Sequence, residues 1–138
     1  MWDMTLSQAS ENQRPSVFIV DDDAAVRDAV KFLVQSFGWQ AEGFDSGEAF
    51  LRVYTPGRPA CLVLDLHMPR MNGVELQNHL RARGYRIPVI VITAQPDDSL
   101  VAQAKRAGAL SVLQKPFNNQ ELMHNILRAI GPIGEPPS

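Results

Sequence analysis

The chain has 138 residues, enough for one domain with a full core. Hydrophobic residues make up 45% and charged residues 20%, and 13 Lys plus Arg against 15 Asp plus Glu leave a net charge of −2. These totals give no basic excess for direct nucleic-acid contact, and the single cysteine, Cys61, excludes an internal disulfide.

Residues 1–15 are polar and without sustained period, and read as a flexible leader. They lack the basic and apolar regions of a signal peptide. Ser16–Val20 is a short apolar strand. Residues 24–37 carry Val26, Val30, Leu33, Val34 and Phe37 at helical spacing, with Arg27, Asp28, Lys31 and Gln35 on the other face, and Gly38 fits the stop. Residues 39–44 form a second, weaker strand, and 46–54 a short helix ended by Thr55, Pro56 and Gly57. Residues 60–64 are continuously apolar, the mark of a strand buried on both faces. Cys61, at the start of that run, suits a small buried hydrophobe.

After a loop over 67–72 comes a helix over 73–83, a buried strand over 88–92, and a helix over 97–107 with few large apolar side chains. The fifth strand spans 109–113. The last helix spans 118–130, with Asn118 as cap, Glu121 three residues on, and a stripe of Leu122, Met123, Ile126, Leu127 and Ile130. Residues 132–138 hold three prolines and read as a tail. The longest apolar run, 88–94, is too short to span a bilayer, so the chain is expected to be cytoplasmic and without membrane contact.

Strict alternation of strand and helix predicts one α/β domain over 16–131, a parallel sheet covered by helices on both faces. Four motifs then fall at carboxyl ends of strands, the edge where open α/β sheets bind ligands. They are Asp21, Asp22 and Asp23 after the first strand, Asp65 after the third, Thr93 after the fourth, and Lys115-Pro116 after the fifth. No G-x-G-x-x-G follows the first strand, and no P-loop is present, so phosphate chemistry would rest on side chains and a metal.

Clustered carboxylates repel one another unless a cation intervenes. Asp21, Asp22 and Asp65 carry −3, and Lys115 with Mg²⁺ carries +3, so the sequence predicts dependence on Mg²⁺, a hard ion suited to carboxylate and phosphate oxygens. Asp65 is placed to act as a nucleophile toward phosphorus. Thr93 can donate its hydroxyl to a phosphoryl oxygen, Lys115 can neutralise one, and Pro116 offers an X-Pro bond able to be cis. Taken singly each has a plain structural reading, and Asp23 is expected simply to cap the first helix.

The segments VFIVDDDAAVRDAV, LVLDLHMPRMNGVEL, IPVIVITA and AGALSVLQKPF together resemble the receiver (CheY-like) domain of bacterial two-component response regulators, from about residue 16 to residue 130. The wording around Asp65 is closest to the FixJ-like group, whose receivers often precede a DNA-binding helix-turn-helix domain. The resemblance implies a flavodoxin-like doubly wound (βα)5 fold with a five-stranded parallel sheet in the order 2-1-3-4-5. It implies that Asp65 is the phosphoacceptor, that Asp22 binds Mg²⁺ directly and Asp21 mainly through water, and that the His67 backbone carbonyl adds a ligand. Thr93 and Lys115 would grip the phosphoryl oxygens.

The resemblance also implies partners: a sensor histidine kinase or phosphotransfer protein as donor, a downstream protein target or output domain, and a phosphorylation-dependent homodimer. No general enzymatic activity is expected beyond the domain's own phosphorylation and dephosphorylation. His67 and Gln95, two residues beyond Asp65 and Thr93, are positions that tune phosphoryl lifetime in this family; the His67 imidazole otherwise reads as a solvated loop side chain. His79 and His124 are expected at the surface.

One departure concerns readout. Many receivers carry Tyr or Phe three residues before the lysine, and here that position is Val112. Two alternatives follow from the same residues. One is a docking module that works without phosphorylation. The other is a haloacid-dehalogenase-like phosphatase, disfavoured because His67 stands where that family has its second Asp.

Overall fold

A computed structural model describes residues 15–96 and 99–131. Ten elements alternate: β1 Ser16–Val20, α1 Ala24–Ser36, β2 Gln40–Phe44, α2 Gly47–Val53, β3 Ala60–Asp65, α3 Gly73–Ala82, β4 Val89–Thr93, α4 Ser99–Arg106, β5 Ser111–Gln114 and α5 Asn119–Ile130. All neighbouring strands are parallel, in the order β2-β1-β3-β4-β5. The chain adopts the expected flavodoxin-like fold, with element ends within two residues of expectation wherever they are described.

Successive side chains of a strand point to opposite faces, and the sheet here is buried on both. Leu62 and Leu64 enter one core with Phe44, Phe50, Leu76, Leu80, Val89 and Val91. Cys61 and Val63 enter the other with Ile19, Val30, Val34, Ile90, Ile92, Leu122 and Ile126. Each fully buried aliphatic side chain contributes roughly 1.5–3 kcal/mol, so β3 and β4, buried throughout apart from Ala60 at the start of β3, anchor the sheet. Cys61 has no exposure, and burial pushes its thiol pKa up to about 12. Beneath α2 the rings of Phe18, Phe44, Phe50, Tyr54 and Tyr85 pack at centroid distances of 5.0–6.2 Å.

Helix starts follow from their caps. Asp23 accepts from the Ala25 and Val26 N–H groups, as expected for a cap alone. Ser46 accepts from Ala49 N–H. Asn72 and Glu75 form a reciprocal capping box on α3, and Asn118 accepts from Gln120 and Glu121 N–H.

Two members of the expected stripes are not core residues. Phe37 is 51% exposed and stacks on Trp39 at 5.9 Å; it is the C-cap of α1, with φ −91 and ψ 0, and so has left the helical stripe. Leu127 is 37% exposed on the outer flank of α5.

Residues 1–14 of the expected leader, the whole expected tail at 132–138, and residues 97 and 98 at the expected start of α4 lie outside the described residues. Pro15, the last residue of the expected leader, is tied to the sheet: its carbonyl accepts from Gln40 N–H at 3.3 Å. Among the described residues no helix is long and apolar enough to cross a membrane.

Candidate phosphoacceptor and metal site

Parallel register makes the site. Val20 pairs with Leu64, so Asp21 and Asp65 follow side by side on the two central strands. Asp65 pairs in turn with Ile92, and Thr93 with Gln114, which levels Asp65, Thr93 and Lys115 along one edge. Ligand atoms of Asp21, Asp22 and Asp65 lie within 4.8 Å of one another.

The three carboxylates differ in environment. Asp21 has no exposure. Its Oδ1 accepts from Asp23 N–H at 2.8 Å and its Oδ2 from Lys115 Nζ at 3.1 Å, so both oxygens are engaged. Asp22 is exposed. Asp65 is 5% exposed, with Lys115 Nζ 3.4 Å from its Oδ1. Burial, then the Asp21 charge, pushes the Asp65 pKa up to about 7, against the opposing pull of Lys115 and of the His67 backbone hydrogen bond. Burial alone would lower the Lys115 pKa, but the hydrogen bond to Asp21 and the charges of Asp65 and Asp21 raise it overall.

Three carboxylates beside one ammonium leave the cluster at −2 when all are charged, among hard oxygen donors. That donor set fits a small divalent cation such as Mg²⁺.

Thr93 is fully buried. Its Oγ1 accepts from Gln95 N–H at 3.0 Å, leaving the hydroxyl proton available to a ligand. Lys115 N–H donates to the Thr93 carbonyl at 2.7 Å, so backbone links the two. The Lys115–Pro116 peptide bond is cis. His67 is half-buried, more enclosed than a solvated loop side chain, and Gln95 is exposed. Val112 is half-buried and packs against the core shared with α3 and α4. His79 and His124 are exposed.

The expected residues Asp21, Asp22, Asp65 and Lys115 therefore meet, with Thr93 at the adjoining strand end. Two others were not legible as site residues. Arg27, assigned by periodicity to the outer face of α1, instead donates from Nη1 to the Asp21 carbonyl at 2.7 Å; its one signal is its place on the first turn after the acidic triplet. Gly73 lets α3 start against β3: a Cβ there would lie 3.0 Å from the Asp65 carbonyl oxygen and 3.1 Å from Leu66 Cα. The Gly73 N–H donates to Leu66 O at 2.9 Å. A cavity of about 410 Å³, lined by Tyr54, Arg58, Arg86 and Ile130 among others, opens at the opposite sheet edge and takes no part in this site.

Residues 17–127 match the response regulator receiver domain family, and the chain belongs to it: it is a receiver domain of the two-component response regulators. It is 37% identical over 115 residues to the transcriptional regulatory protein TdiR of Thauera aromatica, covering 83% of this chain and 51% of TdiR. It is 35% identical over 114 residues to the transcriptional regulatory protein FixJ of Bradyrhizobium diazoefficiens, covering 83% of this chain and 56% of FixJ. The crystal structure of FixJ-N superposes with a TM-score of 0.79 at 38% identity, covering 85% of this chain and 94% of that one. The chain spans about half the length of these curated relatives.

Family membership sets aside the haloacid-dehalogenase-like alternative. The expectation of no direct nucleic-acid contact gains no support, since these relatives are named as transcriptional regulators.

Proposed function

We propose that Asp65 is the phosphoacceptor of this receiver. The observation that carries the reading is the placement of one nearly buried carboxylate, Asp65, between a lysine ammonium at 3.4 Å and two further carboxylates within 4.8 Å. The donor is a phosphohistidine on a sensor histidine kinase or phosphotransfer protein. An Asp65 carboxylate oxygen attacks phosphorus, the P–N bond breaks, and the imidazole leaves with its electron pair and is protonated.

Asp21, Asp22, Asp65 and the His67 backbone carbonyl are the groups that would hold Mg²⁺, which when bound supplies positive charge to the transferring phosphoryl oxygens. Lys115 neutralises one phosphoryl oxygen, and the Thr93 hydroxyl donates to another. Catalysis is then positioning and electrostatics in a partly dry site. His67 and Gln95 flank the phosphoryl group and set its lifetime. The protein is cytoplasmic, and its chemistry is limited to its own phosphorylation and dephosphorylation.

The output is a change in protein contacts of the face formed by α4, β5 and α5, including homodimer formation and engagement of a target or output domain that acts on transcription. Intact-mass measurement after acetyl phosphate treatment tests the core of this reading. One added phosphoryl group should require both Mg²⁺ and Asp65, with Asp65→Ala as control. Absence of adduct, together with no Mg²⁺ binding, would favour the docking module, a reading that Val112 in place of a switch aromatic keeps in view.

A further inference from the structure

Five cations of the second half of the chain, Arg81, Arg83, Arg86, Lys105 and Arg106, follow or end α3 and α4. Arg81 lies in the last turn of α3, and Lys105 and Arg106 in the last turn of α4. Arg83 and Arg86 follow α3, and all five are exposed. The ion pairs among the described residues are Arg70–Glu48, Lys115–Asp21 and Lys115–Asp65. None of the five cations therefore has a carboxylate partner there. Crossover helices run against the strand direction, so these helix ends lie at the sheet edge opposite Asp65. The acidic cluster and this cationic cluster occupy opposite edges.

Between α3 and α4 the cationic edge is concave. A cleft of about 310 Å³ is lined by Val74, Asn78 and Arg81 from α3 and by Gln103, Arg106 and Ala107 at the end of α4. The seam is fixed by a buried cross-link: Gln77 Nε2 donates to the Ala104 carbonyl at 3.2 Å, and Gln77 is 2% exposed. The helix backbones that carry Arg81 and Arg106 are thus held in a fixed relation, so binding has to order only the two side chains. Helix dipoles favour cations at these ends, but they do not call for two amide side chains beside them in a shared cleft. Guanidinium and amide donors together suit carboxylate oxygens.

We propose that the α3–α4 cleft docks an acidic peptide segment of a partner protein, whose carboxylates bridge Arg81 and Arg106 while Asn78 and Gln103 donate to the remaining oxygens. A peptide is favoured over nucleic acid by the field of the whole molecule. A net charge of −2 and an acidic opposite edge disfavour a long polyanion. A short segment senses mainly charges within about 8 Å, the physiological screening length, and Arg81 and Arg106 line the cleft itself.

The test is fluorescence anisotropy with a labelled oligoglutamate peptide, and in parallel labelled duplex DNA, on the full 138-residue chain. The double variant Arg81→Glu with Arg106→Glu should weaken peptide binding about tenfold or more, while Arg52→Glu, on α2, changes it by less than about twofold. Circular dichroism of the double variant should match the parent; if it does not, Arg81→Gln with Arg106→Gln, which removes both charges without reversing them, carries the comparison. Peptide binding that is undetectable, that survives the double substitution, or that is weaker than DNA binding at the same residues would overturn the proposal.

Discussion

Lys115 Nζ lies 3.1 Å from Asp21 Oδ2 and is the only ammonium that reaches this fully buried carboxylate among the described residues. A buried charge stripped of its partner is costly, commonly about 3 kcal/mol where both ions are enclosed. Lys115 is 21% exposed, so about 2 kcal/mol is expected for Lys115→Ala in metal-free protein near neutral pH. Urea denaturation measures it. Mg²⁺ should restore part of the loss by substituting one cation for another.

The Asp65 carboxyl titrates at about 7 in the folded chain and from its ordinary 3.8 when unfolded. Between those values the folded state binds more protons, so this group destabilises the metal-free fold progressively as pH rises through that window. Asp65→Asn stays uncharged and escapes the effect. Its stability advantage over the parent should widen from about pH 5 to about pH 8, and saturating Mg²⁺ should narrow it. A constant gap across that range would contradict the assignment.

Gly73 is required by contact with backbone, which cannot swing aside. Gly73→Ala places a methyl group 3.0 Å from the Asp65 carbonyl oxygen, and overpacking of this kind costs about 1–3 kcal/mol. Thermal unfolding of the variant should show the loss. By contrast, Gly47→Ala meets the Met71 sulfur at 2.7 Å, the far end of a flexible side chain, and should cost less.

Val112 has no ring to rotate, so the phosphorylation signal should pass through α4, whose buried side chains are only Val101 and Ala104. A helix held by so little apolar area is a low-stability unit. Amide hydrogen exchange over Ser99–Arg106 should change when a phosphoryl mimic is added with Mg²⁺. Identical exchange in the two states would exclude α4 as the readout.

The fold was legible because β1, β3 and β4 are apolar runs between turn residues, and because Asp23 and Asn118 cap their helices by side-chain chemistry. The acidic triplet, Asp65, Thr93 and Lys115 were legible for the same reason: strand ends are readable, and parallel alternation puts strand ends together. Arg27 was not, because helical periodicity describes where Cβ points. It does not say how far a long guanidinium stem can turn back toward a loop carbonyl. Phe37 was misassigned because one residue beyond a helix end the period no longer applies. The closeness of Gly73 to β3 is a property of packing between two elements, to which neither local sequence refers.

Cys61, sealed within the central strand four residues before Asp65, gives the chain a built-in clock. As the one sulfhydryl present, it reacts with an aqueous disulfide reagent only when β3 is laid open, and its modification rate counts those openings without any label or substitution. Each ligand that binds the folded receiver slows that clock by its own occupancy. Metal, phosphoryl mimic and partner peptide can therefore be ranked on one scale, in the unaltered protein, by timing a single atom.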